Sequence, residues 1–463
     1  MKHIIFLSGI WPNGAMSTQF TRPIASYQLK HWLSHFGINS QVIEFCQLLS
    51  SEEIIDLLDH FVGPETFAIG LSTTFWNLLQ NIPKNMAETV AGIRARWPHI
   101  KIITGGPRTP TKLTTFDYYI VGDAEDKLLS WCQSQMKGYS LPNRLFNITE
   151  LAHRFDSNDC IMPGETLPIE LGRGCIFKCK FCSHVNLGKP KFTYQRQFDK
   201  TLDEISYNKE NFGTTRYILL DDTVNEDLDK IRNLATIKDR LGFEIEWTGY
   251  LRADLVWSKS ESAELLKQSG LRSCFFGVET FNPRAGRSID KGWASKHGKD
   301  YIPKLHNDIW DSKINIHLNF IAGLPYEDIN SLRDTLDWCK TQDIGYHRFV
   351  PLTLYVEKKD EFASSEFTRN YAANGYKNVN EDTGYWEHDY MNLNDARKFC
   401  RISQDELSPI NRMSCWDAFG AANLGFELDD VFKWSYFQFL TNISTRRDSF
   451  KQEYIAKLKS VKT

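Results

Sequence analysis

Three of the chain's ten cysteines, Cys175, Cys179 and Cys182, stand within eight positions in ELGRGCIFKCKFCSH (170 to 184), while the other seven are scattered over 463 residues. Thiols gathered so closely have three readings. The i, i+4, i+7 spacing fits one face of a helix, with the cysteines as small core hydrophobes, but Gly172 and Gly174 before them and Lys178 and Lys180 between them speak against a buried stripe. With His184 as fourth ligand they could form a structural zinc site. Such sites usually pair two separated knuckles, and no second CxxC occurs. The third reading is an iron-sulfur cluster, which thiolates favour and a glycine-flexible loop can wrap. Three ligands on a four-iron cube leave one iron open to an exogenous molecule, as catalytic metal sites keep an open position.

The rest of the composition frames that chemistry. Hydrophobic residues at 41% and aromatic residues at 13% supply more than one domain core. A formal charge of -3 offers no basic field for phosphate backbones, so nucleic acid is not favoured as a partner. The N-terminal apolar run is too short for a membrane span and lacks a small-residue cleavage site. The expectation is a soluble, cytoplasmic protein with no membrane partner, and its cysteines read as ligands or reactive thiols rather than a disulfide framework.

Short apolar runs alternate with helix-like stretches from the start: IIFLSGI (4 to 10), SQVIEF (40 to 45), FAIGLST (67 to 73), KIITGG (101 to 106) and YYIVGD (118 to 123). That rhythm predicts a parallel sheet covered by helices. Ligands of such sheets sit at the C-terminal strand ends, where the chain places Ser72 with Thr73, the Gly105–Gly106 pair, and the turn holding Gly122 and Glu125. Gly-Gly-Pro could equally make only a tight turn. Turn-forming residues without periodicity mark a junction before residue 167. A second series follows: LPIEL (167 to 171), RYILLD (216 to 221), IEWTGYL (245 to 251), SCFFGVE (273 to 279), INIHLNFIAG (314 to 323) and HRFVPLTLY (347 to 355). Six strand-helix units suggest a β/α barrel or part of one, with its chemistry at the C-terminal strand ends. The cysteine loop directly follows the first of these strands, and so sits on that rim.

CIFKCKFC has the CxxxCxxC spacing of radical S-adenosylmethionine (SAM) enzymes, including an aromatic residue, Phe181, before the third cysteine. The resemblance implies a [4Fe-4S] cluster on Cys175, Cys179 and Cys182 whose open iron chelates SAM, with electron transfer cleaving SAM to a 5′-deoxyadenosyl radical. It also implies SAM contacts at the following strand ends. Asp221 and Asp222, in DDT, take the place of the family's GGE and resemble the DD of its cobalamin-associated branch. Arg252 could pair with the SAM carboxylate, and Glu279, in GVET, resembles the GxE segment. Gly323, in GLPYE, resembles the GLPGE turn, with Tyr326 replacing its second glycine. Arg252 and Glu279 could instead form ordinary structural ion pairs.

The N-terminal runs, with RPIASYQLKHWLSHFGINSQVIEF, KIITGGP and IVGDAE, resemble the cobalamin-binding domain that precedes the radical SAM core in the B12-dependent branch. Ser72, Thr73, Gly105, Gly106, Gly122 and Glu125 are its candidate cobalamin contacts. No DxHxxG occurs, which argues against a lower histidine ligand to cobalt. The fold class implied is α/β: a flavodoxin/Rossmann-like B12-binding-type domain over 1–140, a linker over 141–166, a partial (β/α)6 TIM-like radical SAM barrel over 167–358 and a small, mostly helical C-terminal extension over 359–463. The function implied is hydrogen abstraction from an unactivated carbon of a small molecule or peptide, with cobalamin-dependent C-methylation and an electron donor such as flavodoxin or ferredoxin. The alternatives are a B12-independent rearrangement or oxidation and, in another class, a non-catalytic zinc-stabilised binding protein. Methylthiolation fits less well, since that group carries a second cysteine-ligated cluster in its N-terminal domain and residues 1–140 here offer only Cys46 and Cys132, far apart. Cys339, Cys400 and Cys415 are spaced too irregularly for an auxiliary cluster and read as core residues. Trp386, His388, Tyr390 and Trp416 lie in the region that often closes over substrate in this family.

Overall fold

The computed structural model describes residues 2–9, 20–72, 82–106, 115–136, 145–182, 194–354, 365–380 and 383–462, so Thr73 and His184 lie outside the described residues. The chain forms two compact units, one of residues 1–168, 203–214 and 443–463, the other of residues 169–202 and 215–442.

The first unit is built on β1 (His3–Leu7), β2 (Asn39–Ile43), β3 (Thr66–Ser72), β4 (Lys101–Gly106) and β5 (Tyr118–Val121). Their order is β2-β1-β3-β4-β5, with every neighbouring pair parallel. This is the flavodoxin-like strand order, whose reversal of direction falls between β1 and β3. Ile4, Ile5, Leu7, Ala68 and Ile69 are fully buried, as strands covered on both faces require. Helices α1 (Ala25–Ser34), α2 (Ser51–Phe61), α3 (Lys84–Arg96) and α4 (Glu125–Gln135) alternate with the strands. The start of α2 is set by a capping box in which Ser50 accepts from the Glu53 N–H and Glu53 accepts from the Ser50 N–H.

Beneath the C-terminal ends of β1 and β2 the unit encloses charge. Arg22 donates to Glu165 from Nε (2.6 Å) and Nη2 (3.1 Å), to the Tyr27 hydroxyl (2.6 Å), and to the carbonyls of Asp159 and Cys160 (3.0 Å each). Glu44 lies in the same buried region, and the Tyr454 hydroxyl accepts from its N–H at 2.7 Å. Burial pushes the Glu44 carboxyl up from 4.5 to about 7, with Arg22 opposing the shift. A carboxyl whose folded pKa is raised stabilises the fold in its protonated form, so that stability is complete below the ordinary value and lost as pH rises through about 7. We expect urea unfolding to lose about 3 kcal/mol between pH 4.5 and 8 through this group. Glu44→Gln should flatten the dependence, and a variant as pH-dependent as wild type would contradict the assignment.

The second unit carries β6 (Leu167–Ile169), β7 (Arg216–Leu219), β8 (Glu246–Leu251), β9 (Leu271–Glu279), β10 (Asn315–Ala322) and β11 (Gly345–Pro351), ordered β11-β10-β9-β8-β7-β6. From β7 to β11 the pairing is parallel, and the sheet remains open. Its outer face is apolar: Phe276 stacks with Trp310, and Phe281, Phe320 and Phe349 form a chain of ring contacts. The fold class is the expected α/β arrangement of a parallel N-terminal sheet, a parallel partial barrel and a helical C-terminal region. That last region also holds a small antiparallel sheet, β12 (Lys377–Asn380), β13 (Tyr385–His388) and β14 (Met391–Asn392), within the aromatic stretch. Among the described residues no helix is long and apolar enough to cross a membrane.

A candidate cluster site at the barrel rim

The loop after β6 does not become a helix. Gly174 takes φ +78°, a conformation open to glycine without steric cost, and the Cys182 N–H donates to the Cys179 carbonyl at 3.0 Å. Cys175, Cys179 and Cys182 all line one cavity of about 340 Å3, together with Phe177 and Phe181 from the same loop and residues from the ends of β8 to β11. Cys175 is buried, which pushes its thiol up, and its Sγ lies 3.4 Å from the Thr223 hydroxyl. Among the described residues no three histidine, cysteine, aspartate or glutamate side chains converge closely enough to hold a single metal ion. Three thiols on one cavity are a donor set that suits an iron-sulfur cluster.

Arg252 follows β8 and reaches the loop: its Nη1 lies 3.7 Å from the Cys179 Sγ, and its guanidinium lies 3.8 Å from the centroid of the Phe177 ring. The fork itself is held by Asp254, Nε at 3.0 Å and Nη2 at 2.7 Å. Arg252 therefore meets the cluster loop with one nitrogen while its bidentate edge is engaged. Glu279 ends β9 with φ +68°, a strained backbone for a non-glycine residue, and accepts from Lys291 Nζ at 2.8 Å. Lys291 also donates to the Gly277 carbonyl (2.7 Å), and its Nζ lies 5.8 Å from the Phe181 ring centroid. Gly277 makes room for this pair, since a Cβ there would stand 2.4 Å from Glu279 Oε1. The strained carboxylate is thus fixed at the cavity wall.

The two aspartates after β7 separate. Asp222 lines the cavity. Asp221 is buried behind it, accepting from the Leu171 N–H and from Lys230, each at 2.8 Å. Burial pushes the Asp221 carboxyl up, and Lys230 opposes this. Gly323 does not line the cavity. It takes φ +108°, a Cβ there would stand 2.4 Å from the Trp386 ring, and its carbonyl accepts from the Tyr376 hydroxyl at 2.9 Å. A close approach of the backbone to Trp386 accounts for that glycine.

Lys291, Thr223, Tyr250, Phe275 and Asn319 also line or support the cavity and have no place in the motif reading. Alternation back from Arg252, Glu279 and Ile321 along their strands points to the three strand residues, whereas Lys291 carries no sequence signal. Of the C-terminal aromatics, Trp386 is buried and donates to the Leu352 carbonyl at 2.9 Å. His388 and Tyr390 line a hollow of about 620 Å3 with Lys180 and Tyr326, and Trp416 packs on Tyr250. Cys339 and Cys415 are fully buried.

In the first unit, Ser72 ends β3, Gly105 and Gly106 end β4, Gly122 follows β5 with φ +81°, and Glu125 opens α4 as a buried residue. They gather at the same end of the sheet. A Cβ at Gly105 would meet the Ile120 carbonyl at 3.1 Å, so this glycine serves strand packing whatever binds above it.

A half-open parallel barrel with three cysteines on its first loop and a cavity at its strand ends is the arrangement that the radical SAM resemblance implies, and residues 169–339 match the Radical SAM superfamily. Over 185 residues the chain is 27% identical to an uncharacterized methyltransferase of Pyrococcus horikoshii, covering 40% of this chain and 38% of that protein. Over 191 residues it is 28% identical to bacteriochlorophyllide d C-12(1)-methyltransferase of Chlorobaculum tepidum, covering 41% and 40%. The chain thus aligns with about two fifths of the length of these relatives. In fold it is similar to TsrM, a radical S-adenosylmethionine methyltransferase from Kitasatospora setae solved with cobalamin and a [4Fe-4S] cluster, at a TM-score of 0.60 and 15% identity over 80% of this chain and 74% of that one.

Proposed function

We propose that this chain is a radical SAM enzyme that methylates an unactivated carbon of a small molecule with the help of cobalamin. The observation that carries the reading is the set of three cysteines on one cavity, with Arg252 against Cys179 and the Glu279–Lys291 pair at its wall. Support for cobalamin comes from the flavodoxin-like strand order of the first unit, its small-residue rim, and the cobalamin bound in TsrM. When bound, the cluster, SAM and cobalamin supply reductive carbon-sulfur cleavage, hydrogen abstraction and a transferable methyl group.

The chain's own residues then have definable tasks. Cys175, Cys179 and Cys182 would hold the cluster, and the Arg252 nitrogen 3.7 Å from the Cys179 sulfur would help orient that ligand. Glu279, fixed by Lys291, presents a carboxylate for the ribose or amino group of SAM, and Asp222 and Phe181 complete the SAM contacts. Phe177, Phe181, Tyr250 and Phe275 keep water from the reacting atoms. Ser72, Gly105, Gly106, Gly122 and Glu125 form the cobalamin rim, and a low-potential donor such as flavodoxin or ferredoxin supplies electrons.

Product analysis tests the reading. The anaerobically reconstituted chain, given cobalamin, SAM and a reductant, should release both 5′-deoxyadenosine and S-adenosylhomocysteine. The first product without the second would put a B12-independent rearrangement or oxidation in place of methyl transfer. Neither product would remove the enzyme reading.

A further inference from the structure

The lumen of the open barrel carries a cation that the cluster chemistry leaves unused. Residues paired in register on neighbouring strands point to the same face of a sheet. Asn319 on β10 pairs with Arg348 on β11, and Ile321 pairs with Val350. Asn319, Ile321 and Val350 all line the cysteine cavity, so Arg348 shares the inner face, one position further from the rim than Val350 on that face. Its charge reaches Tyr250, His317 and Tyr346 on that face, and also Cys400 on the helix Leu393–Leu407. Arg348 is exposed, and among the described residues it has no ion pair and no hydrogen bond. The two cations that line the cavity itself are engaged, Arg252 by Asp254 and Lys291 by Glu279. Asp417, whose charge also reaches Tyr346, accepts from Ser414 at 2.6 Å.

A wall of rings runs through the same space. Centroids lie 5.0 Å apart from Trp416 to Tyr250, 4.9 Å from Tyr250 to Phe275, 4.5 Å from Phe275 to His317 and 4.6 Å from His317 to Tyr346. Tyr250 is 37% exposed, and Phe275, Tyr346 and Trp416 are half-buried. A ring cluster that served only packing would be closed on all sides, as the rings of the outer face are. An unpaired guanidinium beside an open aromatic wall matches a ligand with one charged end and one flat apolar end. The planar fork of arginine takes carboxylate or phosphate oxygens two at a time.

We propose that the substrate held in this lumen is an organic anion, a carboxylate or a phosphate ester on a flat apolar body, with its charged group on Arg348 and its body against Tyr250, Phe275 and Trp416. The proposal rests on the radical SAM reading and gives that reading a substrate class. Fixing the charged end at Arg348 leaves the far end of the molecule toward the cysteine rim, where hydrogen abstraction would occur.

Calorimetric titration of the reconstituted full chain tests this with 1-naphthoate, 1-naphthyl phosphate and the uncharged 1-naphthamide as probes. At least one anion should bind about tenfold or more tighter than the amide, as a charge-assisted pair requires. Which anion is preferred separates carboxylate from phosphate ester. Arg348→Gln should abolish the preference while leaving binding of the amide unchanged, and Arg348→Lys should retain part of it. No preference in the wild type, or a preference that survives Arg348→Gln, would overturn the proposal. Iron and sulfide content, measured on the same samples, reports separately on the cluster, so failure here is distinguishable from failure of the radical SAM reading.

Discussion

Cys179→Ala should leave the reconstituted chain with little iron and reduce 5′-deoxyadenosine formation by more than about 100-fold, the upper end of what losing a mere outer partner of a metal ligand costs. Cys179 is the most informative of the three cysteines because Arg252 Nη1 stands 3.7 Å from its sulfur. Removing the thiol strips a ligand and leaves that nitrogen without its sulfur partner. Cys175→Ala and Cys182→Ala should behave alike, since all three line one cavity. Cys415→Ala is the matched control. That thiol is fully buried, 3.7 Å from His317 Nδ1, and its loss should cost stability without costing iron. Iron content that survives Cys179→Ala but falls with Cys415→Ala would place the cluster elsewhere.

The second large effect belongs to the first unit. Arg22→Met is expected to destabilise it by about 4 kcal/mol, because breaking a buried ion pair leaves its partner charged and unpaired. Both side chains of the Arg22–Glu165 pair are fully buried, and Arg22 spends its donors on Glu165, Tyr27 and two carbonyls. Glu165 also accepts from the Met162 N–H at 2.8 Å, so one change unsettles the whole stretch around residues 159–165. A double variant, Arg22→Met with Glu165→Met, should recover part of the loss, since two apolar groups leave no uncompensated charge. The shift in urea midpoint, followed by far-UV circular dichroism, measures both. A single-variant loss under about 1 kcal/mol would mean that water reaches the pair.

Much of this architecture can be read from the chain alone. All eleven apolar runs form strands, because parallel strands covered on both faces must be nearly continuous in Val, Ile, Leu and Phe. The order of the first sheet is known only from the structure, since the same alternation of strands and helices also fits a 3-2-1-4-5 sheet. Side-chain commitments were less legible. Arg252 and Glu279 line the cysteine cavity, and each holds an ion pair, the structural alternative open to both; nothing in the sequence tells that Lys291, twelve positions beyond Glu279, returns to meet it. Gly323 sits in a motif-like turn, but its glycine answers to Trp386, sixty-three residues away. Such close approaches are tertiary facts. The small sheet of β12 to β14 did carry a signal: Trp386 and His388 alternate with half-buried neighbours in strand fashion, a period of two hidden by a run of aromatic residues. Arg348 is the same lesson in reverse, since its place in the lumen follows from strand parity only once the register is known.

Electron paramagnetic resonance of the dithionite-reduced, anaerobically reconstituted chain, recorded before and after addition of SAM, tests the central claim most directly. A [4Fe-4S] cluster held by Cys175, Cys179 and Cys182 has an open iron, so its spectrum should change shape when SAM binds. A protein that takes up zinc without iron or sulfide, or a reduced cluster whose spectrum is the same with and without SAM, would contradict it.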